Sequence, residues 1–145
     1  FTAIGIAPQN PVGGTTARLG IYADTGSIYP GALIVDAGAV SCAVATAVSA
    51  AISQSLSPGL YWLVMVPLGG NTGVQNGCWG QGSAEQRAPS QIAFLGNSSP
   101  NGVTQASGYA KASVGPGALP GTFPAGGSFV TEPGGGAPFI SLQAA

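Results

Sequence analysis

The chain contains no histidine, and that absence limits the chemistry open to it. Without an imidazole there is no Ser-His-Asp or Cys-His relay and no histidine-based zinc site. Four carboxylates remain: Asp24, Asp36, Glu85 and Glu132. A glycosidase needs two carboxyl groups facing each other across a sugar. Here each lies beside a Gly or Pro turn or in a long loop, and the spacing pairs none of them. Asp24 and Asp36 read more simply as turn residues whose side chains accept hydrogen bonds from nearby backbone amides. A calcium site would need several oxygen ligands together, and the carboxylates do not cluster. The glycines sit beside prolines in turns, not between a strand and a helix, so no phosphate-binding loop is present. The expectation is a protein that is not an enzyme, with no catalytic residues, no cofactor and no metal.

Two residue sets retain some chemical interest. Cys42 and Cys78 allow one disulfide, closing a loop of about 36 residues. Sequence gives no distance between them, and the favoured reading is two unpaired thiols, one of them a small core residue. Trp79 lies in Asn76-Gly77-Cys78-Trp79-Gly80-Gln81-Gly82, among glycines and amides. An indole face flanked by Asn76 and Gln81 suits stacking on a sugar and hydrogen bonding to its hydroxyls. The competing reading folds Trp79 back over a core edge or a chain interface. Trp79, Asn76 and Gln81 are therefore the candidate binding residues, and Trp62 is assigned to the core.

A loop that binds must be held by a scaffold, and composition points to a β scaffold. At 145 residues the chain fits one domain, 1–145, with room for a hydrophobic core. Its 25 glycines and 12 prolines favour many turns over long helices. Only 5% of residues are charged and 45% are hydrophobic, a balance opposite to that of disordered chains. A net charge of −1 with three basic residues cannot track a nucleic-acid backbone. No apolar run reaches the roughly 18–20 residues of a membrane-spanning helix, so no membrane insertion is expected. The start at Phe1, without Met, reads as a mature or excised part of a longer chain.

The strand signals fall in order. Ile4 and Ile6 alternate at the start. Ala17 to Ala23 places Leu19, Ile21 and Ala23 on one face and Arg18, Gly20 and Tyr22 on the other. Ala32 to Val35 reads as a strand stopped at Asp36-Ala37-Gly38. Residues 39–52 fit strand, turn, strand better than helix, because a helix would expose a face of bare Ala and Ser. After the Pro58-Gly59 turn, Leu60 to Leu68 is uncharged and apolar on both faces. Leu60, Trp62, Val64, Val66 and Leu68 point one way; Tyr61, Leu63 and Met65 point the other. A strand apolar on both faces is expected at the centre of the domain. A long loop, Gly69 to Ser90, follows and carries Trp79. Further strands are expected at Gln91–Leu95, Tyr109–Val114, Ser128–Glu132 and Pro138–Leu142, with a turn at Asn97–Gly102 and a Pro/Gly loop at Gly115–Gly127. About eight short antiparallel strands give an all-β, jelly-roll-like β-sandwich.

Four stretches carry a more specific signal. They are Arg18-Leu19-Gly20-Ile21-Tyr22-Ala23-Asp24, Pro30-Gly31-Ala32-Leu33-Ile34-Val35-Asp36-Ala37-Gly38, Leu56-Ser57-Pro58-Gly59-Leu60-Tyr61-Trp62-Leu63 and Ala118-Leu119-Pro120-Gly121-Thr122-Phe123-Pro124. This ordered series resembles the C-terminal head domains of minor tail proteins and tail-fibre tips of long-tailed bacteriophages, particularly those of actinobacteria. The resemblance implies a β-sandwich head, commonly a homotrimer, at the distal end of a virion tail. There it would meet a host cell-surface receptor, with a glycan as the expected class, and join other tail proteins through an upstream segment. It implies no catalytic residues and supplies no receptor-contact motif. The alternative from another class is a secreted bacterial carbohydrate-binding or adhesion module, which predicts a monomer.

Overall fold

The computed structural model describes residues 1–8, 11, 13–68, 106–110, 117–131 and 140–145. Among these there is no helix, and the strands are β1 (Ala3–Ile6), β2 (Thr16–Asp24), β3 (Pro30–Ser41), β4 (Val48–Ala51), β5 (Tyr61–Leu68), β6 (Ala106–Ala110), β7 (Ser128–Thr131) and β8 (Ile140–Gln143). Six of them form two antiparallel three-stranded sheets, ordered β4-β1-β8 and β3-β2-β5, while β6 pairs with β7. The expected all-β class is therefore observed.

The two sheets share one aliphatic core, a sandwich-like arrangement. Ile4 and Ile6 from β1 meet Ala17, Leu19 and Ile21 from β2, with Val40 and Cys42 at the margin. The period-two alternation puts these residues on one face of each strand. Tyr61, Leu63 and Met65 from β5 add to this core, as do Val48, Ala50, Ile140 and Leu142. The opposite face of the β3-β2-β5 sheet carries a second cluster. There Tyr22 packs with Leu119 and Phe123, beside Leu33, Trp62, Val64 and Val66.

Two sequence expectations need correction. Among the described strands Leu60–Leu68 is not the central one: β2 lies between β3 and β5, and β5 pairs with β2 along its length. Every residue of β5 is half-buried, including Trp62. Trp62 is thus a shoulder of the second cluster and not a fully buried core residue. The second correction concerns Asp36-Ala37-Gly38, which does not end a strand. The register passes from Leu19↔Gly38 to Gly20↔Asp36, so Ala37 is the extra residue of a bulge and β3 continues to Ser41. Gly38 has φ 81°, a conformation that favours glycine and lets the bulge form without strain.

Residues 39–52 do form strand, turn and strand, through the end of β3, a bend at 43–46, and β4. Of the strand expected at Tyr109–Val114, only Tyr109 and Ala110 are described, and they end the strand Ala106–Ala110; of Ser128–Glu132, Ser128–Thr131 is a strand and Glu132 lies outside the described residues. The Gly69–Ser90 loop, Gln91–Leu95 and Asn97–Gly102 lie outside the described residues.

Candidate functional site

The outer face of the β3-β2-β5 sheet is organised by a chain segment, 117–127, that crosses it. Arg18 on β2 projects to this face, and its Nε donates to Asp36 Oδ1 at 2.8 Å and Oδ2 at 3.0 Å. Oδ2 also accepts from the Leu119 N–H at 3.0 Å, and Oδ1 from the Gly38 N–H at 3.1 Å. One carboxylate thus joins β2, the β3 bulge and the crossing segment. Burial pushes the Asp36 pKa up, but the Arg18 guanidinium and the Leu119 and Gly38 amides outweigh it and hold it below the usual carboxylate range.

Beside this ion pair, Leu119 occupies the space above Gly20. A β-carbon at Gly20 would collide with Leu119 Cδ1 and approach the Val35 carbonyl oxygen to 2.8 Å. Further along, Tyr22 Oη donates to the Pro120 carbonyl at 2.7 Å, and Tyr29 Oη to the Pro124 carbonyl at 2.7 Å. Phe123 stands edge-on to both rings, at centroid distances of 5.6 Å and 5.7 Å. Backbone bonds Leu33 N–H to Gly121 C=O (2.9 Å) and Phe123 N–H to Gly31 C=O (2.8 Å) align the segment with the edge of β3. Burial, with the negative charge of Asp36 adding to it, pushes the Tyr22 phenol pKa up. The phenol therefore remains a donor to Pro120 throughout the neutral range.

These contacts lead to one end of the sheet, where β2 finishes, β3 begins and β5 begins. Asp24 pairs with Pro30, Ala23 pairs with Tyr61, and the Asp24 N–H donates to the Leu60 carbonyl at 3.3 Å. Asp24 Oδ1 accepts from Trp62 Nε1 at 2.8 Å, and Oδ2 from the Gly26 N–H at 2.6 Å. The Trp62 indole N–H is the main cause that holds the Asp24 pKa low; partial desolvation opposes it, while the amides of Gly26, Ile28 and Tyr29 reinforce it. The Thr25 N–H closes the turn by donating to the Tyr29 carbonyl at 2.9 Å. The Tyr29 hydroxyl then accepts from the Gly127 N–H at 2.9 Å. Three loops, 25–28, 57–60 and 124–127, are fixed at this end by side chains of Asp24 on β2, Tyr61 and Trp62 on β5, and Tyr29 just before β3.

At the tip of the first loop stands Ile28, with φ 56° and 43% of its surface exposed. A β-branched residue in the left-handed region is a backbone outlier, and such positions cost roughly 1–3 kcal/mol. Leu60, in the second loop, is 40% exposed. Neither was singled out from sequence. The available signal was a lone aliphatic β-branched residue, Ile28, inside the turn Asp24-Thr25-Gly26-Ser27-Ile28-Tyr29-Pro30-Gly31.

The residues singled out from sequence fare differently. Asp24 and Asp36 are turn acceptors as expected, for the amides of Gly26 and Gly38. Asp36 lies opposite Gly20, four strand residues from Asp24, or about 13 Å along β2 at the usual rise. That exceeds the roughly 5–9.5 Å of paired glycosidase carboxylates. Trp79, Asn76 and Gln81 lie outside the described residues, as do Cys78, Glu85 and Glu132. The Trp79-bearing segment follows Leu68, which pairs with Thr16 at the end of the sheet opposite Asp24. Cys42 is a free, buried thiol, and burial pushes its pKa up, away from thiolate chemistry. Among the described residues no three potential metal ligands come together.

The chain matches no family model, no curated protein and no solved structure.

Proposed function

We propose that this chain is a host-attachment head of a long-tailed bacteriophage, a minor tail protein or tail-fibre tip domain that binds a surface glycan of its host. In this reading the two sheets belong to a jelly-roll-like β-sandwich, assembled as a homotrimer at the distal end of the virion tail and joined upstream to other tail proteins. It performs no catalysis, uses no cofactor, and touches neither nucleic acid nor the membrane interior. Trp79, with Asn76 and Gln81, is the aromatic and amide set offered to the receptor.

The observation that supports this reading most is the meeting of the four stretches on which the resemblance rests. Arg18 and Tyr22 from the first, Asp36 from the second and Leu119 and Pro120 from the fourth are bonded to one another, and Trp62 from the third is bonded to Asp24. They act as one structural unit across 98 residues of separation between Tyr22 and Pro120. A secreted monomeric module would serve the same fold, so assembly separates the two readings. Light scattering on the purified 145-residue chain is expected to give about three times the 14.0 kDa monomer mass. The same material is expected to compete with whole virions for adsorption to host cells. Trp79→Ala should weaken that competition by the roughly 1–2 kcal/mol of one good aromatic contact. A folded chain that is monomeric and does not compete would refute the attachment role.

A further inference from the structure

We infer that the sheet end built from loops 25–28, 57–60 and 124–127 is a second receptor-contact surface, and that its ligand is an uncharged saccharide. This inference rests on the attachment reading but concerns residues other than Trp79, Asn76 and Gln81.

The first observation is Ile28. Its backbone is held in the left-handed region by the closed Thr25–Tyr29 turn and by an Asp24 carboxylate engaged with the indole and turn amides. Burial does not explain why a β-branched side chain is kept there, because 43% of it faces solvent. Glycine would occupy the same backbone without cost. Strain maintained at an exposed apolar side chain points to a contact made by that side chain. Leu60, 40% exposed on the adjoining loop, supplies a second aliphatic group.

Charge determines the kind of ligand. The charged side chains among the described residues are Arg18, Asp24 and Asp36. Arg18 and Asp36 neutralise each other, whereas Asp24 accepts from the Trp62 indole and the turn amides and keeps its negative charge. Among the described residues this end therefore carries a negative charge and no free positive one, so an anionic ligand would lose hydration there and meet repulsion in place of a counter-charge. A neutral sugar presents C–H faces to Ile28 and Leu60 and hydroxyls to the exposed polar groups of Thr25, Gly26 and Ser27. Size favours a sugar as well. Among the described residues, 25–28, 57–60 and 125–126 are the exposed ones of these loops, ten in all, against the roughly 20–30 per side of a stable protein interface.

The test immobilises neutral polysaccharides (dextran, mannan, galactan) beside an acidic one, polygalacturonate, and measures binding of the assembled chain at about 50 and 500 mM salt. Variants Ile28→Gly and Leu60→Ser are compared with Val44→Ser, whose parent residue is 51% exposed in the turn beyond the opposite end of β3. Binding to at least one neutral polymer, unchanged by salt and absent from polygalacturonate, is expected. Ile28→Gly and Leu60→Ser should each lower affinity tenfold or more, and Val44→Ser should not. Ile28→Gly should also keep or raise Tm, since it relieves the turn, so its loss of binding cannot be a loss of folding. Equal binding by Ile28→Gly and wild type would overturn this surface and leave the attachment reading intact. Competition with virions that is abolished by protease treatment of the cells, without polysaccharide binding, would overturn the saccharide assignment. Neither binding nor competition would overturn both proposals.

Discussion

The two faces of β2 are built on different rules. The inner face, Ala17, Leu19 and Ile21, is fully buried and purely aliphatic, packed against Ile4 and Ile6 of the other sheet. The outer face, Arg18, Gly20 and Tyr22, makes point contacts: an ion pair, a close approach to Leu119 and a phenol bond to Pro120. The inner face needs apolar volume, which many sequences can supply. The outer face needs particular residues, because each contact reaches a single partner far away in the chain. Stability should therefore reside mainly on the inner face, and the placement of the crossing segment on the outer one.

The largest expected effect breaks the inner face. Leu19→Ala removes a side chain with 0% exposure from the centre of the shared core. Cavity-forming substitutions of this type cost about 3–5 kcal/mol. Chemical denaturation should show a large fall in midpoint, with both sheets lost together. A cost under about 1 kcal/mol would mean that the sheets do not share a core there.

Gly20→Ala tests the outer face by filling it. The added methyl meets Leu119 Cδ1 and the backbone oxygen of Val35, and the backbone has little room to give. An overpacking cost of about 1–3 kcal/mol is expected. Leu119→Ala in the same chain should recover part of it, since one of the two obstacles is removed. A double-mutant cycle that shows no coupling would separate Leu119 from its seat on Gly20.

These positions show what sequence could and could not reveal. Period-two alternation correctly assigned both faces of β2 and both faces of β5, with Tyr61, Leu63 and Met65 inward and Trp62, Val64 and Val66 outward. It misplaced β5 in the sheet because alternation reports which faces are covered, not which edges are paired. Both faces of β5 touch apolar clusters, yet among the described strands the central place belongs to β2, whose outer face holds Arg18 and a glycine. Asp36-Ala37-Gly38 was misread for a similar reason. Asp and Gly mark a local departure from extended backbone, and a bulge satisfies that as well as a turn does. The bonds from Asp24 to Trp62 and from Asp36 to Leu119 span 38 and 83 residues, and no local pattern encodes them. Ile28 was legible in principle, as a β-branched residue where turn chemistry calls for Gly or Asn.

Asp36→Ala should cost less than either substitution above, about 1–2 kcal/mol, through loss of the acceptor for Arg18 and for the Leu119 amide. Its signature is pH dependence. The native pKa of Asp36 lies below the ordinary carboxylate value of about 3.9, so over that interval the unfolded chain binds more protons than the folded one. The stabilisation is complete above the unfolded value and is lost as pH falls through the native one. Wild type and Asp36→Ala should therefore differ most near neutrality and converge as pH drops below about 4. A gap that stays constant down to pH 2 would assign the effect to packing and not to the carboxylate.

The smallest effect sharpens the comparison at the exposed end of the same outer face. Trp62→Phe keeps an aromatic ring against Val64 and Val66 but removes the indole N–H that donates to Asp24 Oδ1 at 2.8 Å. That N–H is the leading cause of the lowered Asp24 pKa, while the amides of Gly26, Ile28 and Tyr29 remain. The Asp24 pKa should rise toward the ordinary value without reaching it, measured by NMR titration of its side-chain carboxyl. Global stability should change little, because Asp24 is only partly buried and the turn keeps its backbone bond from Thr25 to Tyr29. The Ile28 amide shift provides the companion reading, since that amide supports the same carboxylate. A raised Asp24 pKa with an unmoved Ile28 amide would show a turn held by its own backbone, with the indole tuning only the charge. Movement of both would mean that Trp62, a half-buried shoulder of the outer cluster, helps to hold the strained turn in place. No change in the Asp24 pKa would remove Trp62 from the carboxylate altogether.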